Sequence, residues 1–217
     1  MDCCSKDVIE ARFDDEYVQK KLSRYRKKGP KKTTSVLAQV IAEKMGKGMT
    51  LLDIGGGLGD LQHILLPMGV TNAINCEASD AFVKACDQEA RSHGYADLIT
   101  HVQADFVEVA DEISEADIVT LDRVICCYPD MPELVSSSLQ KARRLYGIVI
   151  PSEKWWVKLT TSMYYNLRFI LQRNPFRVFV HSTEAIENLI HAAGFQRLFY
   201  KEASGWQIFV FSRQAIG

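Results

Sequence analysis

A glycine-rich segment, Gly55-Gly56-Gly57-Leu58-Gly59, directly follows the apolar run at 51–54. Glycine tolerates positive φ angles and lets a ligand approach the backbone where a Cβ atom would clash. A glycine turn between a buried strand and a helix therefore predicts a ligand site at the carboxyl end of that strand.

Two common ligand motifs do not fit this turn. The dinucleotide fingerprint Gly-x-Gly-x-x-Gly requires glycine at position 60, where Asp60 would place a carboxylate against a pyrophosphate. A phosphate-binding loop ends in Gly-Lys-Ser/Thr, and the sequence lacks that ending. A nicotinamide-dependent oxidoreductase is therefore a weaker alternative, which failure to bind NAD(H) would remove.

Apolar runs and helical patterns alternate along the chain, which predicts right-handed βαβ units and a parallel sheet. The runs predict strands at 50–54, 72–76, 99–103, 117–121 and 146–150, with a helix over 132–145. Two terminal runs, 195–202 and 206–212, are separated only by Ala203-Ser204-Gly205 and predict an antiparallel pair.

The N-terminal region has apolar positions at helical spacing between residues 7 and 32, which predicts one or two amphipathic helices. They end in a basic turn at 27–32. This turn is either a solvated linker or a hinge that closes the N-terminal helix over a ligand. Thr33 or Thr34 is expected to cap the next helix.

Acidic residues lie at or after the ends of the first four predicted strands: Asp53, Glu77, Asp105 and Asp122. Because the carboxyl ends of parallel strands meet at one edge of a sheet, we expect these side chains to share a site. Glu77 lies 22 residues after Gly55 and can accept hydrogen bonds from both hydroxyls of a ribose. The alternative is that these acids cap helices or lie in solvated loops.

The pattern acid-x-Gly-x-Gly-x-Gly resembles motif I of the class I S-adenosylmethionine (SAM)-dependent methyltransferases. Segments 121–130, 144–147 and 175–181 resemble a group of small bacterial methyltransferases that are often labelled magnesium-protoporphyrin O-methyltransferase-like. The resemblance implies an α/β fold, namely a Rossmann-like, seven-stranded, mostly parallel sheet with helices on both faces and a terminal antiparallel hairpin. It also implies SAM as cofactor and S-adenosylhomocysteine (SAH) as product.

The same resemblance implies which residues contact the cofactor. They are Asp53, Gly55, Gly56, Gly57, Gly59, Glu77, Ala78, Asp105, Phe106, Asp122 and Arg123. Asp105 would accept a hydrogen bond from the adenine amino group, and Phe106 would support the ring. Asp122 and Arg123 would face the methionine end. The alternatives for Arg123 are pairing with a substrate carboxylate, with Asp122 or with a helix end.

Methyl transfer is an in-line displacement in which the enzyme mainly aligns the acceptor and excludes water. A carboxylate acceptor needs no base, whereas a phenol, amine or carbon acceptor gains from one. Tyr128 and His181 are the candidate catalytic residues, with a packing aromatic and a surface histidine as the alternatives. We expect O-methylation of a carboxyl or hydroxyl on a hydrophobic small molecule; a non-catalytic SAM-binding or interaction module stays open.

An aromatic-rich insertion precedes the last helix. Its apolar positions fit one helical face: 156, 159, 163, 167, 170 and 171. This face would either pack on the sheet and its neighbouring helices or form the roof of an apolar pocket. We prefer the second interpretation, a lid. A helix lying on a membrane surface is a further alternative, because four cations accompany the aromatics: Lys154, Lys158, Arg168 and Arg173.

Length and composition fit a single domain, 1–217. We divide it into an N-terminal helical cap (1–46), a SAM-binding core (47–151), the aromatic insertion or lid (152–181) and a final helix with the strand pair (182–217). The net charge of −1 gives no argument for nucleic acid as a partner. We expect a cytoplasmic protein without signal peptide or membrane span. The sequence does not predict the oligomeric state.

The six cysteines include two adjacent pairs, Cys3-Cys4 and Cys126-Cys127. Neither pair has the Cys-x-x-Cys spacing of zinc or redox sites, so we expect free thiols and no metal site.

Overall fold

The computed structural model describes residues 6–214. Its N-terminal part consists of three helices, α1 (Lys6–Arg12), α2 (Asp15–Lys28) and α3 (Lys32–Lys44). The predicted cap of α3 by Thr33 or Thr34 is wrong, because Lys31 is the N-cap residue and makes no side-chain cap bond. Both threonines lie inside the first turn of the helix and are buried, where their hydroxyls have other partners.

Strands and helices then alternate as predicted. The first elements are β1 (Thr50–Ile54), α4 (Asp60–Leu65), β2 (Asn72–Cys76), α5 (Asp80–His93) and β3 (Ile99–Val102). They are followed by α6 (Phe106–Val109), β4 (Ala116–Asp122), α7 (Met131–Lys141) and β5 (Ala142–Pro151). The insertion contains α8 (Trp155–Leu159), a π-helical segment (Thr160–Asn166) and α9 (Leu167–Leu171). The last elements are α10 (Thr183–Ala192), β6 (Phe195–Ala203) and β7 (Trp206–Arg213).

The described strands form one seven-stranded sheet in the order β3-β2-β1-β4-β5-β7-β6. β7 runs antiparallel to both of its neighbours, and the other pairs are parallel. The predicted fold class is therefore confirmed. The chain reverses its direction across the sheet between β1 and β4, and the carboxyl ends of strands at such a reversal form a crevice suited to a ligand.

The prediction of a helix reaching Leu145 is wrong. α7 ends at Lys141, and β5 begins with the next residue. Ala142 pairs with Ala116 and Leu145 pairs with Ile118 of β4. These ladder partners, which are distant in sequence, decide the local conformation over helical propensity.

The terminal hairpin closes with a two-residue turn. Ser204 and Gly205 have φ angles of 52° and 79°, as a type I′ turn requires, and this turn matches the twist of paired strands. The turn also contacts the insertion, because the carbonyl of Gly205 accepts a 2.9 Å hydrogen bond from the N–H of Ser152. A Cβ atom at Gly205 would lie 2.8 Å from the ring of Trp156.

Helices cover both faces of the sheet. On one face, Leu37 and Ile41 of α3 are fully buried against the strands. On the other, Leu134 of α7 and Ile190 of α10 pack with Tyr146 of β5. Each such side chain contributes about 1.5–3 kcal/mol of hydrophobic stabilisation. The core thus holds the strand ends rigidly at one edge of the sheet.

Within residues 6–214, no helix has the length and apolar character needed to cross a membrane. The same residues contain no cluster of three or more side chains suited to a metal ion. The cysteines that the structure describes are free thiols, including Cys126 and Cys127. The Cys3-Cys4 pair lies outside the described residues.

Candidate functional site

A cavity of about 590 Å³ opens at the carboxyl ends of β1, β2 and β4. This volume is in the usual range for sites that bind small molecules. Besides the strand ends, α1, α2, the insertion and the β6–β7 turn contribute to its walls. The lining includes these predicted residues: Asp53, Gly55, Gly56, Gly57, Glu77, Ala78, Asp105, Phe106, Asp122, Arg123 and Tyr128.

Two glycines of the turn are required for different reasons. Gly55 has a φ of 61°, and a Cβ atom there would lie 2.5 Å from a methyl group of Val124. Gly59 has a φ of 80° and precedes α4; its Cβ would lie 2.6 Å from Sγ of Cys86 on α5. Gly55 lines the cavity, whereas Gly59 does not. The last glycine of the motif therefore serves the packing of α4 on α5.

Asp53 supports the glycine turn from within the protein. Its carboxylate is buried, accepting hydrogen bonds of 2.6 Å from the hydroxyl of Thr120 and 3.1 Å from the amide of Gln62. Burial raises the pKa of Asp53 to about 7, although both hydrogen bonds act in the opposite direction. Both oxygens are thus engaged by protein groups.

Glu77 connects the ends of β1 and β2. Its buried carboxylate accepts hydrogen bonds of 3.0 Å from the N–H of Gly57 and 2.9 Å from the N–H of Ser79. Burial raises its pKa, while the backbone N–H groups of Ser79, Gly57 and Ala78 lower it. A carboxylate has about four lone-pair positions, so Glu77 keeps capacity for a hydroxyl group of a ligand.

Asp105 both caps a helix and lines the cavity. Its Oδ1 accepts a 3.0 Å hydrogen bond from the N–H of Val107, as an N-cap residue of α6 does. Phe106 is buried in the core behind it. The capping interpretation and the ligand-site interpretation therefore apply to the same residue.

Asp122 is the last residue of β4, and Arg123, which follows it, forms an ion pair with it. Oδ2 of Asp122 accepts a 2.5 Å hydrogen bond from the hydroxyl of Thr34, and Oδ1 lies 3.7 Å from Nε of Arg123. The Arg123 guanidinium donates to the hydroxyl of Thr33 and lies 5.2 Å from the ring centroid of Trp206. Arg123 has a φ of 65°, which is unusual outside glycine and typical of residues held at functional sites.

Asp60 and Lys31 complete a partly buried charged cluster that the sequence analysis did not identify as one. Burial and the neighbouring charge of Asp122 raise the pKa of Asp60 to about 6. Burial and the charge of Arg123 lower the pKa of Lys31 to about 8. The sequence held a signal for Asp60, its position directly after the glycine turn, but none for Lys31, which helix packing brings to the site.

Two carboxylate oxygens of this cluster lack hydrogen-bond donors. Among residues 6–214, Oδ1 of Asp60 and Oδ1 of Asp122 are buried and accept no hydrogen bond. Buried polar atoms are normally satisfied, so such atoms at a cavity wall indicate where a ligand donates. A positively charged donor fits both oxygens best.

Arg12 lies in a cage of aromatic rings that the sequence analysis also missed. Its guanidinium carbon is 4.5 Å from the ring centroid of Tyr17, 5.2 Å from that of Phe13 and 5.3 Å from that of Phe169. Its Nε is buried without a hydrogen-bond partner in the described chain, and no acid lies within ion-pair distance there. The cavity wall thus contains a cation that has no counter-ion among residues 6–214.

The insertion turns a different face to the cavity from the predicted one. Val157, Thr161 and Phe169 are buried, and Tyr165 lines the cavity between them. These positions are four residues apart, a stripe that the widened turns of the π-helical segment keep on one side. Most of the predicted inward face is exposed instead: Leu159, Met163, Leu167, Ile170 and Leu171.

The two candidate catalytic residues are placed differently. Tyr128 lines the cavity, whereas His181 does not. Nε2 of His181 lies 2.9 Å from the carbonyl oxygen of Tyr128, and burial lowers the pKa of the imidazole. His181 thus contacts the backbone of the segment that carries Tyr128 rather than the cavity. Cys127 also lines the cavity, but its bond to Cys126 and its burial raise its pKa well above the ordinary value, so it stays a neutral thiol.

Comparison with known proteins gives structural matches only. Neither the protein-family models nor the curated proteins that we compared with this sequence match it. Among solved structures, magnesium protoporphyrin IX methyltransferase from Synechocystis PCC 6803 with bound SAH superposes with a TM-score of 0.67 at 19% identity, covering 96% of this chain and 94% of that one. The chain has the class I methyltransferase fold.

Other structures with this methyltransferase fold differ in their described activities. An O-methyltransferase family protein from Burkholderia thailandensis gives a TM-score of 0.70 at 13% identity, covering 96% of this chain and 63% of that one. The [4+2]-cyclase SpnF gives a TM-score of 0.63 at 14% identity, covering 83% and 80%. At such low sequence identities a shared fold does not determine the reaction, which depends on the residues of the site itself.

Proposed function

We propose that this chain is a SAM-dependent methyltransferase that acts on a hydrophobic small molecule. The observation that carries the proposal is the pair of unsatisfied buried oxygens, on Asp60 and Asp122, beside the cations Lys31 and Arg123. SAM has an amino-acid end with one ammonium and one carboxylate, and this cluster offers a partner for each. A dinucleotide would instead bring a pyrophosphate toward Asp60.

The remaining cofactor residues fit the other parts of SAM. Glu77 would accept hydrogen bonds from the ribose hydroxyls, and Asp105 with Phe106 would contact the adenine. The ammonium would bind Asp60 and Asp122, while Lys31 would neutralise the carboxylate. When bound, SAM supplies a methyl group on a positively charged sulfur.

The acceptor is proposed to lie against the apolar part of the lining, where Phe13, Phe169 and Phe176 form a cluster with Cys127. Arg12 is the charged group of this part of the wall and supports an acceptor that carries a carboxylate. We therefore prefer O-methylation of a carboxyl group to that of a hydroxyl. A carboxylate needs no general base, which agrees with the position of His181 outside the lining.

The residues around the acceptor would act mainly through alignment. The N-terminal helices and the insertion would exclude water and hold the acceptor oxygen in line with the methyl carbon. Tyr128 would contact the acceptor as a hydrogen-bonding or stacking group. The thiol of Cys127 stays protonated and contributes shape rather than nucleophilicity.

The test is transfer of labelled methyl groups from SAM to a panel of hydrophobic carboxylic acids and phenols, each acid paired with its amide. Magnesium protoporphyrin IX belongs in the panel because it is in the name of the cyanobacterial neighbour. We expect an acid to be labelled and its amide to stay unlabelled. Binding of SAH without labelling of any acceptor would favour the alternative, a non-catalytic SAM-binding module.

The matched variants are Arg12→Met and Arg12→Lys. Loss of a charged hydrogen bond costs about 1.5–3 kcal/mol, so Arg12→Met should raise KM for the acid by about 10- to 100-fold. Arg12→Lys keeps the charge and should recover part of the loss, with kcat little changed in both. An unchanged KM in Arg12→Met would remove Arg12 from the acceptor site.

A further inference from the structure

The insertion carries a continuous exposed apolar surface on the side away from the cavity. We call it the outer face of the insertion; it consists of Trp155, Leu159, Met163, Leu167, Ile170 and Leu171. Trp155 and Leu171, at its two ends, are 76% and 77% exposed. Large exposed apolar patches on globular proteins mark contacts with partners or membranes.

The charged residues of the insertion are almost all positive. Residues 154–183 contain five cations and no Asp or Glu, although the whole chain has a net charge of −1. The rest of the chain therefore carries −6. Lys154 and Lys158 have acid partners outside this stretch, in Glu202 and Glu153. Arg168 and Arg173 are exposed, and within residues 6–214 neither makes an ion pair.

We propose that the outer face of the insertion docks on an anionic lipid bilayer. Trp and aliphatic side chains with accompanying Lys and Arg are the composition of a helix lying in the membrane interface. The helical stretch at 155–171 would lie in the plane of the surface, since no described helix is suited to cross a membrane. An anionic surface complements the positive insertion and repels the acidic remainder, which sets the orientation.

A second copy of the chain fits this surface less well. A two-fold symmetric contact brings the same patch of both copies together, so the exposed Arg168 and Arg173 of one copy would lie near those of the other. Aliphatic contacts would have to offset that repulsion. A bilayer with anionic headgroups offers both the apolar layer and the opposite charge.

The docking surface is continuous with the cavity. Trp156 and Tyr165 line the cavity and are also 43% and 47% exposed, so they extend from the cavity wall to the protein surface. A docked insertion would open the cavity toward the bilayer, from which an apolar acceptor enters. This last point rests on the proposed function, whereas the docking itself does not.

The test is flotation of the full chain with lipid vesicles. One set contains phosphatidylcholine alone, and the other contains about one third phosphatidylglycerol. We expect binding to anionic vesicles at least tenfold tighter than to neutral ones, weakening as salt rises. Each removed cation should weaken binding about fivefold, so Arg168→Gln with Arg173→Gln should reduce it by more than tenfold.

Matched variants distinguish binding through this surface from non-specific hydrophobic adsorption. Trp155→Ser with Leu171→Ser should reduce anionic vesicle binding at least tenfold, and the exposure of both side chains predicts an unchanged melting temperature. The control is Met68→Ser with Leu98→Ser, which removes exposed apolar side chains elsewhere and should bind like the wild type. Equal binding to both vesicle types, absence of binding, or a dimer dissociated by the Trp155 and Leu171 changes would overturn the proposal.

Discussion

The hydroxyl of Thr34 donates a 2.5 Å hydrogen bond to Oδ2 of Asp122, from a residue 88 positions earlier in the chain. This bond connects α3 to the carboxyl end of β4 and fixes one oxygen of the carboxylate. The other oxygen is left for a ligand. In the proposed SAM complex, the N-terminal helices would therefore be part of the cofactor site as well as a cover for it.

Removal of this hydroxyl should weaken cofactor binding without unfolding the protein. Thr34→Val keeps the shape of the side chain and leaves the buried carboxylate of Asp122 without its donor, at a cost of about 1–3 kcal/mol. We expect SAH to bind about tenfold more weakly by calorimetry. Ser35→Ala is the control, since among the described residues that hydroxyl bonds only to the carbonyl of Lys31, at 3.3 Å. Equal loss in both variants would contradict the assignment.

Glu77 should be the most sensitive single position for SAH binding. Glu77→Gln removes the charge and leaves only one acceptor oxygen, so either the N–H of Gly57 or the N–H of Ser79 loses its partner and the ribose hydroxyls lose a charged acceptor. Charged hydrogen bonds are worth about 1.5–3 kcal/mol, and we expect a 10- to 100-fold loss of affinity. Thermal unfolding checks the fold. Wild-type affinity in a correctly folded Glu77→Gln protein would contradict a ribose contact.

Much of the fold follows from local signals in the sequence. The glycine turn, the alternating elements and the hairpin at Ser204-Gly205 were predicted, and the sheet confirms them. The first residues of β5, 142–145, were predicted as the end of the preceding helix. Strand pairing at Ala142 depends on residues far away in sequence. Long-range pairing of this kind leaves no local pattern.

The site was predictable where a residue follows a strand and unpredictable where a helix brings it in. Glu77 and Asp122 reach the cavity wall because the sheet topology requires it. Arg12 and Lys31 reach it only through the packing of the N-terminal helices, which sequence spacing does not encode. The orientation of the insertion was wrong because a π-helical segment shifts the helical period that the prediction assumed.

SAH binding should have a pH optimum between the pKa values of two residues. The raised pKa of Asp60, about 6, means that its carboxylate becomes protonated below that pH and loses the ammonium. The lowered pKa of Lys31, about 8, means that above that pH it loses its charge and the carboxylate of SAH. Affinity measured from pH 5 to 9.5 should therefore fall at both ends.

Two variants assign the limbs of this profile. Asp60→Asn should bind weakly and lose the acidic limb, since no carboxylate remains to titrate at that position. Lys31→Arg should keep its charge throughout and move the basic limb to higher pH, where the amino group of SAH loses its proton. A basic limb that stays near pH 8 in Lys31→Arg would contradict the role of Lys31.

The N-terminal cap is held by an ion pair between α2 and α5. Arg26 donates hydrogen bonds of 2.9 Å and 2.5 Å to Oε1 of Glu89, whose side chain is only 3% exposed. Arg26→Ala would leave a buried carboxylate with no cation, and we expect a loss of about 1–2 kcal/mol in unfolding free energy, because Arg26 itself is half-exposed. Denaturant titration measures this.

The double variant Arg26→Ala with Glu89→Gln separates charge burial from packing. Removal of the buried charge should restore part of the stability lost in Arg26→Ala, while Lys27→Ala on the exposed side of α2 should have little effect. A double variant less stable than Arg26→Ala would show that the ion pair is not the stabilising element.

The most direct measurement is calorimetric titration of the wild-type chain with SAH, alongside NADH under the same conditions. The account predicts a dissociation constant in the micromolar range, about −8 kcal/mol, for SAH and no binding of NADH. Absence of binding by SAH at millimolar concentration, or binding of NADH in its place, would contradict the assignment of Asp60, Glu77 and Asp122 to SAM.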